Sequence, residues 1–270
     1  MPNAVRAPGK SSRVTDPTIY PVEEKMGEDI LQRWIAELLR QLLERWFKHR
    51  GAPAFVGADQ FIYYRQHAPT ERIAPDVYVL PGLAPDTRVT SWKTWEKGIA
   101  PSFALEIVSS NWQKDYAEIP SRYAAAGVSE LVIFDPEPAR HADGLTWQLY
   151  RRVRNRPLSL VEVSQGDRVR SKTLGCFLRA VGKGEALRVR LATGAAGDEL
   201  FPTGEEAERT AKEAERAAKE AEHAAKEAER AAKDAERMAK EAERAAKEAA
   251  LQRVAELEAA LRARGARKRR

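Results

Sequence analysis

The chain has 270 residues, one cysteine, a net charge of +6, and 32% charged against 7% aromatic side chains. A single cysteine, Cys176 in "LGCFL", excludes an internal disulfide framework and a cysteine-based zinc site, and no apolar run reaches the ~20 residues that cross a bilayer. The N-terminal "MPNAVRAPGKSSRVTD" has no apolar signal-peptide core, so the expectation is a soluble cytoplasmic protein.

These averages blend two unlike parts. All six tryptophans lie before Pro202, whereas from Glu205 onward the chain is nearly all Ala, Glu, Lys and Arg. The core-forming part is therefore the first ~200 residues, enough for one substantial hydrophobic core. The expected organisation is a flexible N-terminus over 1–20, a folded domain over 21–200, a long helix or coiled coil over 205–264, and a basic tail over 265–270. The excess positive charge sits largely in the terminal "RARGARKRR", which admits a polyanionic partner without establishing one.

In chain order, the first predicted helix runs roughly from Glu28 to His49, with Leu31, Ile35, Leu38, Leu39, Leu42 and Trp46 on one stripe and Gly51 as its stop. "FIYYR" (61–65) and "APDVYVL" (74–80) read as strands, 82–100 as a polar irregular loop, and "SFALEIV" (102–108) as a strand. A helix follows over about Asp115 to Ala126 and stops at Gly127. Pro120 lies five residues after the candidate cap Asp115, so the alternative is a helix starting at Pro120 with 111–119 as an ordered loop. "ELVIFD" (130–135) is a compact apolar strand. "LTWQLYRR" (145–152) and "LSLVEV" (158–163) read as an antiparallel pair, followed by strands near 174–192. The order predicts a mixed α/β (α+β) domain. Beyond "FPTGEEAER" a seven-residue unit, "AERAAKE" and its variants, starts at Ala207, Ala214, Ala221, Ala228, Ala235 and Ala242. Each unit sets Glu four residues before Lys, the favourable order on a helix. A tight alanine coiled coil and a solitary ion-paired helix both satisfy that pattern.

The chemistry centres on "FALEIVSS" (103–110), where Glu106 interrupts an otherwise apolar strand. A buried carboxylate needs a partner, a metal or a shifted pKa. Asp76 heads the preceding long strand, and adjacent pairing would bring both acids to one end of a sheet, in range of a shared hard cation. From spacing alone two bland alternatives stay open: Asp76 capping a turn, and Glu106 facing solvent from an edge strand.

"PDVYVL", "ALEIVSS" and above all "RYAAAGVSELVIFDPE" (122–137) resemble the Uma-two family of restriction endonucleases, within the PD-(D/E)XK nuclease superfamily. The resemblance covers roughly residues 26–192. It implies a restriction-endonuclease-like domain with a mixed sheet, hydrolysis of DNA phosphodiester bonds, and a Mg2+ or Mn2+ ion held by Asp76, Glu106 and the Ile107 carbonyl. It also implies a lysine that orients or activates the attacking water. The superfamily's usual lysine position holds Val108 here, and the family's own helix position holds Ile119. Lys114 is the expected replacement and Arg122 the next; the alternative for Lys114 is an ordinary solvated loop lysine. Glu28 and Asp29 stand where a first-helix acid is often found. Besides an active endonuclease, the pattern admits a catalytically impaired relative that binds DNA or a partner and forms a homo-oligomer through its C-terminal helix, or a chain whose helix is the working part.

Overall fold

The computed structural model describes residues 18–20, 30–108, 112–137, 146–154 and 156–267, with side chains described for all of these but 112–115 and 261–267. The chain divides into two compact units, Met1–Gly204 and Glu205–Arg270. The first is a mixed α/β domain built on a six-stranded sheet; the second is one long helix.

Helix α1 (Ile30–His49) carries its apolar stripe through Ile35, Leu39, Leu42, Leu43 and Trp46, all buried. It ends where Gly51 adopts a left-handed φ of 62° and the Ala52 N–H reaches back to the Phe47 carbonyl. Lys48 and His49 in the last turn suit the negative end of the helix dipole.

The large sheet has the order β1 (Ala54–Gly57), β4 (Val77–Pro81), β6 (Phe103–Ile107), β7 (Glu130–Phe134), β8 (Trp147–Arg152), β9 (Leu158–Ser164). Only β6 and β7 run parallel. Their crossover contains α3 (Trp112–Ala125), as a parallel pair requires. Strand alternation sorts side chains to two cores. Val77, Val79, Phe103, Leu105 and Ile107 face α1. Tyr78, Leu80, Ala104 and Val108 face the other way, toward Tyr123 and Ala126.

Two smaller sheets complete the domain. One has the order β3 (Arg72–Ile73), β2 (Ile62–Tyr63), β5 (Trp92–Lys93) and adds Ile62, Ile73 and Trp92 to the α3-side core. The other comprises β10 (Arg168–Ser171), β11 (Cys176–Val181), β12 (Arg188–Thr193) and β13 (Glu199–Leu200). Its Val169, Leu178, Val189 and Leu191 enter the core that α1 shares with the large sheet. Trp46 of α1 donates its indole N–H to the Leu174 carbonyl at 2.9 Å, and Arg50 donates to the same oxygen at 2.7 Å. Glu130 at the start of β7 is fully buried. It accepts from Arg151 at 2.8 Å, from the Lys172 N–H at 3.2 Å and from the Ser171 hydroxyl.

Three sequence expectations need correction. The stretch 82–100 contains β5 and a one-turn helix, α2 (Thr94–Lys97), because Trp92 buries its ring and donates its indole N–H to the Ile99 carbonyl at 2.9 Å. The short β1 pairs with β4 from Ala54↔Pro81 to Gly57↔Tyr78 and was not expected at all. Helix α3 starts at Trp112, ahead of both expected starts, with Pro120 inside it. A proline there withholds one N–H from the helical ladder, which flanking turns and the packed inner face of the helix tolerate. Val128 N–H to the Tyr123 carbonyl (3.1 Å) and a φ of 82° at Gly127 close the helix.

Helix α4 (Gly204–Arg267) has 64 residues, on the order of 96 Å of helix. Its charges pair along its own surface. Lys219, Lys226, Lys233 and Lys240 each reach the glutamate four residues earlier at 2.6 Å. Arg216, Arg237 and Arg244 reach the glutamate four residues later at 2.9, 3.1 and 3.4 Å. Each pair of this kind contributes about 0.2–0.5 kcal/mol to a helix.

Candidate active site

The ladder between β4 and β6 runs Val79↔Phe103, Tyr78↔Ala104, Val77↔Leu105. One residue further, the same register sets Asp76 opposite Glu106. By alternation both fall on the α3 side of the sheet, with Tyr78 and Ala104. Strand β6 is third of six and has neighbours on both edges. The edge-strand alternative for Glu106 is therefore overturned: the residue is half-buried inside the sheet, opposite Ile133 of β7.

At Ile107 the strand outruns its β4 partner, and two side chains take over. The Ile107 N–H donates to Asp76 Oδ2 at 2.5 Å, and the Ile107 carbonyl accepts from Gln32 Nε2 of α1 at 3.1 Å. Asp76 thus closes the end of the ladder, as a capping acid does, and is anchored by the residue after Glu106. Gln32 holds the carbonyl that the sequence assigned to a metal; a carbonyl oxygen has a second lone pair for another partner.

Helix α3 covers the same face. Tyr116, Ile119 and Tyr123, at helical spacing, pack on the core beneath it. Ile119 is therefore a packing residue. Lys114 belongs to the first turn of α3, not to a loop before it, and its side chain lies outside the described residues, as do Glu28 and Asp29 altogether. Arg122 is exposed and donates to the Arg72 carbonyl at 2.7 Å.

Two residues that sequence reasoning did not single out, Asp135 and Gln148, share this face. Asp135 follows the last residue of β7, and because β6 and β7 are parallel it stands at the sheet end that carries Glu106. It is 1% exposed. Its Oδ2 accepts the Tyr116 hydroxyl and its Oδ1 the Glu137 N–H, each at 2.8 Å. Gln148 of β8 pairs with Ile133, continuing the cross-sheet row from Glu106, and accepts the Tyr150 hydroxyl at 2.8 Å. Only Asp135 left a signal in the sequence: a carboxylate ending an apolar strand just before a proline.

Glu106, Asp76 opposite it in the ladder and the Ile107 carbonyl all offer oxygen, a donor type that suits a hard cation such as Mg2+, which keeps several waters and takes few protein ligands. Among the described residues no group of three or more His, Cys, Asp or Glu side chains could hold a metal. The fit therefore rests on Asp76, Glu106 and the Ile107 carbonyl together. Among the same residues no helix is long and apolar enough to cross a membrane.

Residues 21–179 match the family model Uma2, "Putative restriction endonuclease". A crystal structure from Anabaena variabilis, described as "a putative nuclease belonging to DUF820", is similar at 14% identity over 57% of this chain and 78% of that one. Its TM-score is 0.40, too loose a likeness to lay residues over one another. No curated protein matches the sequence.

Proposed function

The chain belongs to the Uma2 family, and from that premise we propose that its globular domain is a divalent-metal-dependent endonuclease that hydrolyses DNA phosphodiester bonds at Asp76 and Glu106. The observation that carries the reading is the β4–β6 register, which sets the two acids opposite one another on one face while the Ile107 N–H fixes Asp76. Asp76, Glu106 and the Ile107 carbonyl would hold the metal. A bound Mg2+ or Mn2+ supplies a more acidic water and neutralises charge on the phosphoryl group.

The chain's own residues supply position. Gln32 steadies the Ile107 carbonyl, and the Tyr116–Asp135 bond ties the N-terminal half of α3 to the end of β7. That bond supports a position for the first turn of α3, which includes Lys114, near the sheet end where Glu106 lies. Lys114 is the proposed cationic group beside the attacking water and the phosphate oxygens. The burial of Ile119 against the core supports assigning the role elsewhere than to position 119.

A plasmid-nicking assay with Mg2+ or Mn2+ tests the proposal. Wild type should nick, and Asp76→Ala should not. Lys114→Ala should lower the rate by a factor of about 10²–10³, whereas Ile119→Lys, which forces a charge into a packed position, should not raise it. A wild type that binds metal but leaves the plasmid intact would favour the impaired, DNA-binding relative. A Lys114→Ala variant of undiminished rate would remove Lys114 from the mechanism.

A further inference from the structure

The repeat of α4 has a feature that separates the two readings of that helix. At about 100° per residue, the alanines of each seven-residue unit, such as Ala214, Ala217 and Ala218, form one stripe. On the same wheel the nearest side chains flanking the stripe are glutamates on both sides: Glu215 and Glu222 along one edge, Glu213 and Glu220 along the other. Arg216 and Lys219 fall on the far side. With Ala214 and Ala217 at the seam, the positions beside it hold Ala218 and Glu220; with Ala218 and Ala221 at the seam, they hold Ala217 and Glu215 or its repeat Glu222. Coiled coils use those flanking positions for attraction between oppositely charged strands; in either register this repeat offers only alanine and glutamate there, with no cation to meet the glutamate.

The glutamates instead find partners within their own strand. Glu215, Glu222, Glu229 and Glu236 each accept from the lysine four residues on, and Glu220, Glu241 and Glu248 from an arginine four residues back. Both charged rows are used without a second chain, and the seam would bury only methyl groups.

We propose that residues 205–248 form a self-supporting single helix, a rod that spaces the residues after it from its own start by on the order of 65 Å and needs no partner strand. The proposal is independent of the nuclease reading.

The test uses the full-length protein and two readouts. First, the helical signal at 222 nm should stay constant over dilution on the order of a hundredfold, where a coiled coil would dissociate. It should also fall slightly as salt rises, because salt screens the intrahelical pairs. Second, the triple variant Ala221→Glu, Ala228→Glu, Ala235→Glu places charges along the stripe. A lone helix should tolerate it with a change of less than about a tenth in helical signal, since Glu is nearly as good a helix former as Ala. A coiled coil would lose the tail's helicity. The variant keeps the test decisive even if the globular part associates by another surface. A helical signal that drops on dilution, rises with salt, or collapses in the triple variant overturns the proposal.

Discussion

Replacing Asp76 by Asn removes one charge from the candidate site and leaves an oxygen that can still accept the Ile107 N–H. Directly opposed residues on neighbouring strands have Cβ atoms roughly 4.5–5.5 Å apart. Two carboxylates about 5 Å apart repel by about 3 kcal/mol at an effective dielectric of ~20, and solvent at a half-buried glutamate lowers this. Exchanging a charged for a neutral acceptor costs about 1 kcal/mol. Without metal, the variant should therefore be as stable as wild type or slightly more so. With Mg2+ at on the order of a hundred times its dissociation constant, wild type should gain ~2.7 kcal/mol. That corresponds to roughly 5–11 °C in thermal midpoint for a domain of this size, and the variant should gain little. Thermal unfolding followed in EDTA and in a Mg2+ titration measures both. A variant midpoint that climbs with Mg2+ as far as that of wild type would refute the shared-cation reading. A metal-free variant several degrees below wild type would show that Asp76 acts chiefly as the cap of Ile107.

Tyr116→Phe removes one hydrogen bond to the buried Asp135 carboxylate, and the domain should lose about 1–3 kcal/mol in urea unfolding. An unchanged midpoint would mean that water replaces the hydroxyl. Gly57→Ala should destabilise by about 1–3 kcal/mol, because a Cβ there would lie 2.4 Å from the Tyr78 ring and 2.6 Å from Gln60 Oε1; calorimetry that finds no loss would refute that crowding. Burial pushes the Cys176 thiol from 9.0 up to about 12. Since the folded state then holds its proton more tightly, this group should cost no stability below pH 9 and a growing amount as pH rises from 9 to about 12. At neutral pH the native thiol should resist alkylation and react on unfolding; rapid modification of the native protein would contradict its burial.

Much of the frame could be read from the residues. Strands β6 and β7 were legible to within a residue or so because their apolar runs are bounded by turn signals, and α1 because its stripe is long and regular. What the sequence hid depends on contacts far along the chain. Strand β1 is four residues long and is held by β4, more than twenty residues on. β5 exists because Trp92 finds the α3-side core. Pro120 misdirected the start of α3, since local rules weigh a proline against a helix and say nothing of the packing that retains it. The strand positions of Asp76 and Glu106 were visible. Gln32 was not: a polar residue on an amphipathic helix reads as a solvent-facing one, and only the folded chain brings it to Ile107.

The burial of Glu130 bears on how the domain comes apart. Its carboxylate is held by Arg151 on one sheet and by Ser171 and the Lys172 N–H at the edge of the other. If the smaller sheet were to lift away alone, that carboxylate would lose two donors while Arg151 still held it. Each hydrogen bond to a charged group that is lost in this way costs about 1.5–3 kcal/mol. Partial opening along this seam is therefore suppressed, and the two sheets should melt as one cooperative unit. Amide protons of Leu131 in β7 and Leu178 in β11 should then exchange through a common opening event, with matching free energies and matching dependence on denaturant.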